Sequence, residues 1–354
     1  MVFRIPILIL AFLCLISCSR EEETKPVETS FINAADLSSV PEIESYAVDF
    51  YNFDGEKEDI LITLRNAGIN TVRLRIWNNP PEGHCNLKEV TLFSRRIRSL
   101  GMKVWLTVHY SDTWADPASQ APPEAWQGIP FNSLKDSVYN FTTRIMTEIH
   151  PEYIQIGNEV NNGFLFPYGD RYKNEKQFIE LLETGIKAVK EHGNAVVFIH
   201  YAGIKGSDEF FETIKDINYD MIGLSYYPIW HGKDLQLLGN TLNELSKKNN
   251  KKIVIAETSY PFTLQWNDLT HNVVGMEEQL ILPEFPATPE GQRDFFKKIK
   301  SIVRSVPYGS GLCYWGGELV AFKGPDSQNG SSWENQALYD FNNKALPVIK
   351  VFGE

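Results

Sequence analysis

What most constrains this chain is a rhythm: strand-length apolar runs alternate with longer stretches of helical period, and no Pro/Gly/Ser-rich linker breaks the series. The pattern predicts eight strands, over 31–37, 71–76, 103–108, 153–156, 195–199, 221–224, 252–256 and 311–314. Helical stretches fall between them, over 60–67, 92–100, 134–149, 175–191, 208–215, 235–248 and 289–305. Strands joined by helices run parallel, because a parallel pair needs a crossover. Eight such units predict a (β/α)8 barrel, an α/β fold filling residues 31–354 as a single domain. An open doubly wound sheet would want a Gly-rich phosphate loop after its first strand, and Ala34-Ala35-Asp36-Leu37-Ser38 is not one.

A barrel of this kind builds its site at the C-terminal ends of its strands. Read in order, those ends deliver Asp36; then Arg73, Arg75 and Trp77, which share parity; then His109, Tyr110, Asp112 and Trp114. The fourth strand delivers Asn158 and Glu159, the fifth His200 and Tyr201, and the sixth Ser225, Tyr226 and Tyr227. The seventh delivers Glu257 and the eighth Trp315. The opposite strand ends are not loaded in this way.

Two of these tips share a design. Tyr153-Ile154-Gln155-Ile156-Gly157-Asn158-Glu159 and Ile253-Val254-Ile255-Ala256-Glu257 are apolar runs that each end in a glutamate. Two carboxylates across a glycosidic bond can cleave it. At about 5–5.5 Å apart one attacks the sugar and configuration is retained; at about 6.5–9.5 Å a water fits between them and configuration inverts. An acid needs a raised pKa and a nucleophile must stay ionised. Arg73 and Tyr226 are placed to keep Glu257 charged. Trp315 is a candidate sugar platform. Aromatics make up 12% of the chain, with 8 Trp and 15 Tyr, which suits stacking against sugar faces. His109, His200 and Asp112 offer a competing metal reading. The first strand has no His-x-His, where metal-dependent amidohydrolase barrels place it, so no metal or other cofactor is expected.

The net charge of −11 argues against nucleic acid or an anionic membrane surface as partner. The N-terminus is an address: Arg4 precedes an apolar run, residues 5–16, too short to span a bilayer. It ends in Leu15-Ile16-Ser17-Cys18, which resembles a bacterial lipobox cut before a lipidated cysteine. Residues 1–18 are therefore expected to be a lipoprotein signal peptide with Cys18 acylated, and residues 19–30 a flexible tether. The acidic Glu21-Glu22-Glu23 resembles the surface-export signal of Bacteroidetes lipoproteins. The expected setting is the outer membrane of a Gram-negative bacterium, at the cell surface, with the protein a monomer. Cys85 and Cys313 are then the only cysteines of the mature body, and no disulfide is expected.

The chain resembles glycoside hydrolase family 53, the arabinogalactan endo-β-1,4-galactanases, over nearly its whole mature length. The residues that carry this are Ala35-Asp36-Leu37-Ser38, Gly68–Trp77, His109-Tyr110-Ser111-Asp112-Thr113-Trp114-Ala115-Asp116-Pro117, Gln155–Gly163, Leu224–Pro228, Glu257–Pro261 and Ser332–Leu338. The resemblance implies a retaining enzyme, with Glu159 the acid/base, Glu257 the nucleophile, and β-1,4-galactan of pectic side chains as polysaccharide substrate. It implies that Asp36, Arg73, His109, Asn158, Tyr226 and Trp315 surround the scissile bond, and Asp112, Trp114 and His200 are also expected to bind substrate. Some bacterial members hold calcium in the loop after the seventh strand. Here residues 262–272 contain one aspartate, and no metal is expected there. Two other readings remain: a mannanase or glucanase on the same barrel, and a surface lipoprotein that captures glycan without cutting it.

Overall fold

Val-, Ile- and Leu-rich strands buried on both faces need cover inside and out, and a closed barrel wrapped in helices supplies it. The computed structural model describes Met1 and residues 31–354. The expected signal peptide, Cys18 and the tether lie outside the described residues. Eight parallel strands close in sequence order: β1 (Ile32–Asp36), β2 (Thr71–Ile76), β3 (Lys103–Val108), β4 (Tyr153–Ile156), β5 (Val196–Ala202), β6 (Met221–Ser225), β7 (Lys252–Thr258) and β8 (Gly309–Tyr314). The helices are α1 (Val40–Ser45), α2 (Ile60–Asn66), α3 (Leu87–Ser99), α4 (Phe131–Glu148), α5 (Glu175–His192), α6 (Ser207–Thr213), α7 (Pro228–His231), α8 (Leu235–Asn249) and α9 (Pro289–Ser305). The (β/α)8 barrel read from the sequence is the fold.

Differences lie at the edges. Helix α3 starts five residues before its expected position because Asn86 caps it, accepting from the Glu89 N–H, and its first turn buries Leu87 and Val90. Helices α1 and α7 are too short for periodicity to reveal. Strand β5 runs three residues beyond its expected end, to Ala202.

The pleat sorts each strand between two cores. Outward residues such as Val72, Leu74 and Ile76 pack with the helices in one large cluster. Inward residues form a second cluster that fills the lower barrel: Ile32, Ala34, Trp105, Tyr153, Phe198, Met221, Val254, Ala256 and Cys313. Trp105 and Phe198 meet edge to face with centroids 4.7 Å apart. Two residues further along the same faces, Ala34 gives way to Asp36, Trp105 to Thr107, Tyr153 to Gln155 and Phe198 to His200. One repeat of the pleat thus changes a dry plug into a polar floor. Arg73 joins them, its guanidinium 5.9 Å from the Trp105 ring centre.

Candidate active site

Arg73 organises this polar floor. It is buried, and its planar fork reaches four partners on three other strands or their tips. Nη1 meets Asp36 Oδ2 at 2.7 Å, Nη2 meets Glu257 Oε1 at 2.7 Å and Asn158 Oδ1 at 3.0 Å, and Nε donates to Gln155 Oε1 at 2.8 Å. Asp36 is fixed from behind by the Ser38 amide and hydroxyl.

Glu257 belongs to β7 and is 6% exposed. It follows the inward Ala256, so strict alternation would turn it away from the barrel. The pairing of β7 is irregular there: Leu224 faces Ile255 while Ser225 faces Glu257, and a second shift lies against β8. The extra residue turns Glu257 inward. Its Oε2 accepts from Tyr227 Oη at 3.0 Å. Burial pushes its pKa up, while the Arg73 charge and the Tyr227 hydrogen bond oppose that push.

Glu159 arrives differently. Strand β4 ends at Ile156 and the chain turns sharply through Gly157 (φ 81°) and Glu159 itself (φ 46°). A Cβ on Gly157 would collide with the Val160 side chain, so glycine is required there. The left-handed Glu159 costs roughly 1–3 kcal/mol, held by the surrounding bonds. Gln120 clasps the turn by donating to the Asn158 carbonyl at 2.9 Å, and the Val160 amide bonds His200 O at 3.0 Å. The carboxyl lies 2.5 Å from Ser225 Oγ. Burial and the Glu257 charge raise its pKa from 4.5 to about 8. Oxygens of the two glutamates lie within 4.8 Å of one another.

Above them opens a cleft of about 1060 Å³ lined by Asp36, Arg73, Arg75, Trp77, His109, Asp112, Trp114, Asn158, Tyr227, Trp230, Trp315 and Trp333, with both glutamates at its base. Its walls are a chain of rings. Arg75 lies against both Trp77 and Trp114, 4.8 and 4.3 Å from their centres, and those two rings meet edge to face. Trp114 meets Trp315 at 6.0 Å, Trp315 meets Trp333 at 4.7 Å, and Trp333 meets Trp230 at 6.0 Å. Such ring faces, beside a few charged groups, suit an extended sugar chain. His109 accepts from Trp77 Nε1 and the Ala115 amide through Nδ1, so its proton sits on Nε2. Burial and the two arginines keep it neutral.

Two residues do not sit as the sequence reading expected. Tyr226 is fully buried and donates to Gly232 O at 2.7 Å; its neighbour Tyr227 is the one that reaches Glu257. Alternation along β6 explains it: Met221, Ser225 and Tyr227 face the barrel, while Ile222, Leu224 and Tyr226 face the helices. His200 is fully buried within the extended β5 and does not line the cleft, so it is not a substrate contact. Asp112 lines the cleft, but its oxygens accept from the Asn79 and Glu124 amides, bracing two loops. Ser225 and Tyr227 were placed at a strand tip but given no role, and Gln155 was missed. The tandem tyrosines and the period-two spacing of Gln155 from Gly157 were their only signals.

The metal reading fares poorly on geometry. Among the described residues, Glu159, His200 and Glu257 bring candidate ligand atoms together. However, both His200 nitrogens are hydrogen-bonded, and Glu257 is bonded by a guanidinium. Asp268 Oδ2 and Asn272 Oδ1 in the loop after β7, and Glu334 Oε2 from the segment after β8 that packs on it, are buried without hydrogen-bond partners. Calcium takes roughly six to eight oxygens, backbone carbonyls and waters included, of which these side chains could supply three.

The sequence model described as glycosyl hydrolase family 53 matches residues 32–352. The chain belongs to that family. It is therefore a glycoside hydrolase. It is 34% identical to an arabinogalactan endo-beta-1,4-galactanase of Cellvibrio japonicus, over 92% of this chain and 91% of the relative. It is 30% identical to an endo-beta-1,4-galactanase of Bacillus subtilis, over 94% and 87% respectively. Its fold matches the family 53 catalytic domain of Ignisphaera aggregans with a TM-score of 0.86 and 34% identity, covering 91% of this chain and 95% of that one.

Proposed function

We propose that this family 53 hydrolase cuts internal β-1,4-galactosidic bonds of galactan, the side chain of pectic type I arabinogalactan, with retention of configuration. Glu257 attacks the anomeric carbon while Glu159 gives its proton to the departing glycosidic oxygen. The C–O bond breaks and a galactosyl ester forms on Glu257. A water then gives a proton to Glu159 and attacks the same carbon, releasing Glu257. The separation of the two carboxyl groups carries this reading: oxygens within 4.8 Å suit direct attack rather than an intervening water. The environments support the roles, since the cation and the phenol serve Glu257 and the raised pKa serves Glu159. The galactanase relatives support the substrate. We further propose that Cys18 anchors the enzyme to the outer membrane, where it meets polysaccharide; Cys18→Ala should release it into the soluble fraction.

The test is digestion of soluble β-1,4-galactan, followed by chromatography, with NMR of the anomeric protons before mutarotation. Rapid shortening of the polymer with β products first supports the proposal. α products first would overturn retention, and cleavage of mannan or glucan instead would overturn the substrate.

A further inference from the structure

His200 and Ser225 lie behind Glu159, out of the cleft, and neither has a role in the steps above. Their hydrogen atoms can nevertheless be assigned one by one. Asn158 is the anchor. Its amide nitrogen donates to Ala115 O at 2.9 Å, so its Oδ1 is the end that receives Arg73 Nη2 at 3.0 Å and Thr107 Oγ1 at 3.2 Å. A guanidinium can only donate, which fixes that orientation. His200 Nδ1 lies 3.1 Å from the same oxygen and must therefore carry a hydrogen. The ring is fully buried and faces Arg73, His109 and His231, which keep it neutral. Its Nε2 is then a bare lone pair, 2.8 Å from Ser225 Oγ. Ser225 has one hydrogen, and Nε2 requires it. The 2.5 Å contact between Ser225 Oγ and Glu159 Oε1 also needs a hydrogen between the two oxygens. Only Glu159 is left to supply it.

We infer that Ser225 and His200 form a one-way relay that holds the proton on Glu159: His200 takes the serine hydrogen, so Ser225 offers the acid a lone pair rather than a donor. The inference rests on the reading of Glu159 as the acid. Ionising Glu159 forces Ser225 to turn toward the carboxylate and leaves Nε2 without a donor, or leaves the carboxylate unserved. Either outcome disfavours the ionised form. The other groups facing Glu159 are Glu257, Arg73, Asp116 and Tyr227. Glu257 and Asp116 also favour the proton; a hydrogen donated by Ser225 would oppose it, as Arg73 does, and it is that donation which His200 removes. His200 and Ser225 are thus positioning residues that keep the acid loaded toward alkaline pH.

The test separates the two halves of the imidazole. In His200→Asn the amide nitrogen can still serve Asn158, but nothing stands at Nε2. Ser225 is freed to donate to the carboxylate, and the alkaline limb of kcat/KM on soluble galactan should fall by about one pH unit, the scale of one buried hydrogen-bond partner lost or regained. In His200→Gln the amide oxygen stands near Nε2 and keeps Ser225 engaged, so the limb should stay near the wild-type position. Equal limbs in the two variants would overturn the relay. A measurement on the native chain does not depend on either variant folding. With ¹⁵N-labelled histidine, His200 should be the neutral Nδ1–H form, opposite to His109, with its Nε2 shift moving as Glu159 titrates and losing that movement in Glu159→Gln. An Nε2–H ring at His200 would overturn the proposal. A relay intact in the spectra beside a fully active Glu159→Gln would instead sink the acid assignment on which it rests.

Discussion

Glu257 leaves β7 among charges, between a guanidinium and a phenol, with Asp36 on the far side of Arg73. Glu159 leaves β4 on a left-handed turn, beside a serine backed by a neutral histidine. Two strand tips with the same sequence design are thus tuned differently: burial raises both carboxyls, but at Glu257 a cation and a phenol oppose the rise. The glutamates themselves do not determine this; their neighbours on β2, β5 and β6 do. A buried carboxyl rises in pKa by default. At β7 a cation opposes the rise directly, while at β4 that cation is farther off and the nearest charge is the other carboxylate.

Removing the two carboxyl groups separates them most widely. Glu257→Ala should lose activity on the order of 10⁶-fold, as when a covalent nucleophile is deleted. Glu159→Ala should lose about 10²–10⁴-fold on galactan. It should regain much of that on a galactoside whose leaving group needs no proton, such as dinitrophenolate. Azide should rescue both, giving a β-azide with Glu159→Ala and an α-azide with Glu257→Ala. The opposite pairing of products would reverse the assignment of roles.

The next effect is on stability. Arg73→Met strands Asp36 and Glu257 as buried carboxylates without their cation, which costs about 3–5 kcal/mol. In a chain of this size that is a fall in Tm of roughly 5–15 °C, readable by calorimetry at pH 7. Ser225→Ala should cost only about 1–3 kcal/mol, since it removes a neutral group. If the two variants melted together, the contrast between a charged and a neutral tip would fail. Arg73→Lys should not rescue activity, because a point charge cannot serve Asp36, Gln155, Asn158 and Glu257 at once.

How much of this could be read beforehand follows from what is local. The strands, the barrel and both glutamates were legible because hydrophobic period and strand-end polarity are properties of short windows. Arg73 was legible because its parity inside β2 is undisturbed. The choice between Tyr226 and Tyr227 was not, because β6 is buried on both faces and its apolar run does not show which parity faces the barrel; the structure puts Ile222, Leu224 and Tyr226 outside and Met221, Ser225 and Tyr227 inside. His200 was misplaced for a related reason. Its strand outlasts its apolar run, and only the closed barrel makes a buried polar position there affordable, by surrounding it with Asn158 and Ser225.

The tandem tyrosines give the smallest and sharpest test. Activity should fall on the acid side as Glu257 gains a proton and on the alkaline side as Glu159 loses one, the latter near its raised value of about 8. The Tyr227 hydroxyl donates to Glu257 and so stabilises the charged form. Tyr227→Phe removes that donor, the Glu257 pKa rises, and the acid limb of kcat/KM should move up by about one pH unit. The alkaline limb should move little, because Tyr227 makes no hydrogen bond to Glu159. Tyr226→Phe loses only the bond to Gly232 O, which should cost about 1 kcal/mol of stability and leave both limbs in place. A shift of the acid limb in the Tyr226 variant rather than the Tyr227 variant would mean that alternation breaks at the β6 tip. Tyr226 would then be the phenol that keeps Glu257 charged, and Tyr227 a packing residue.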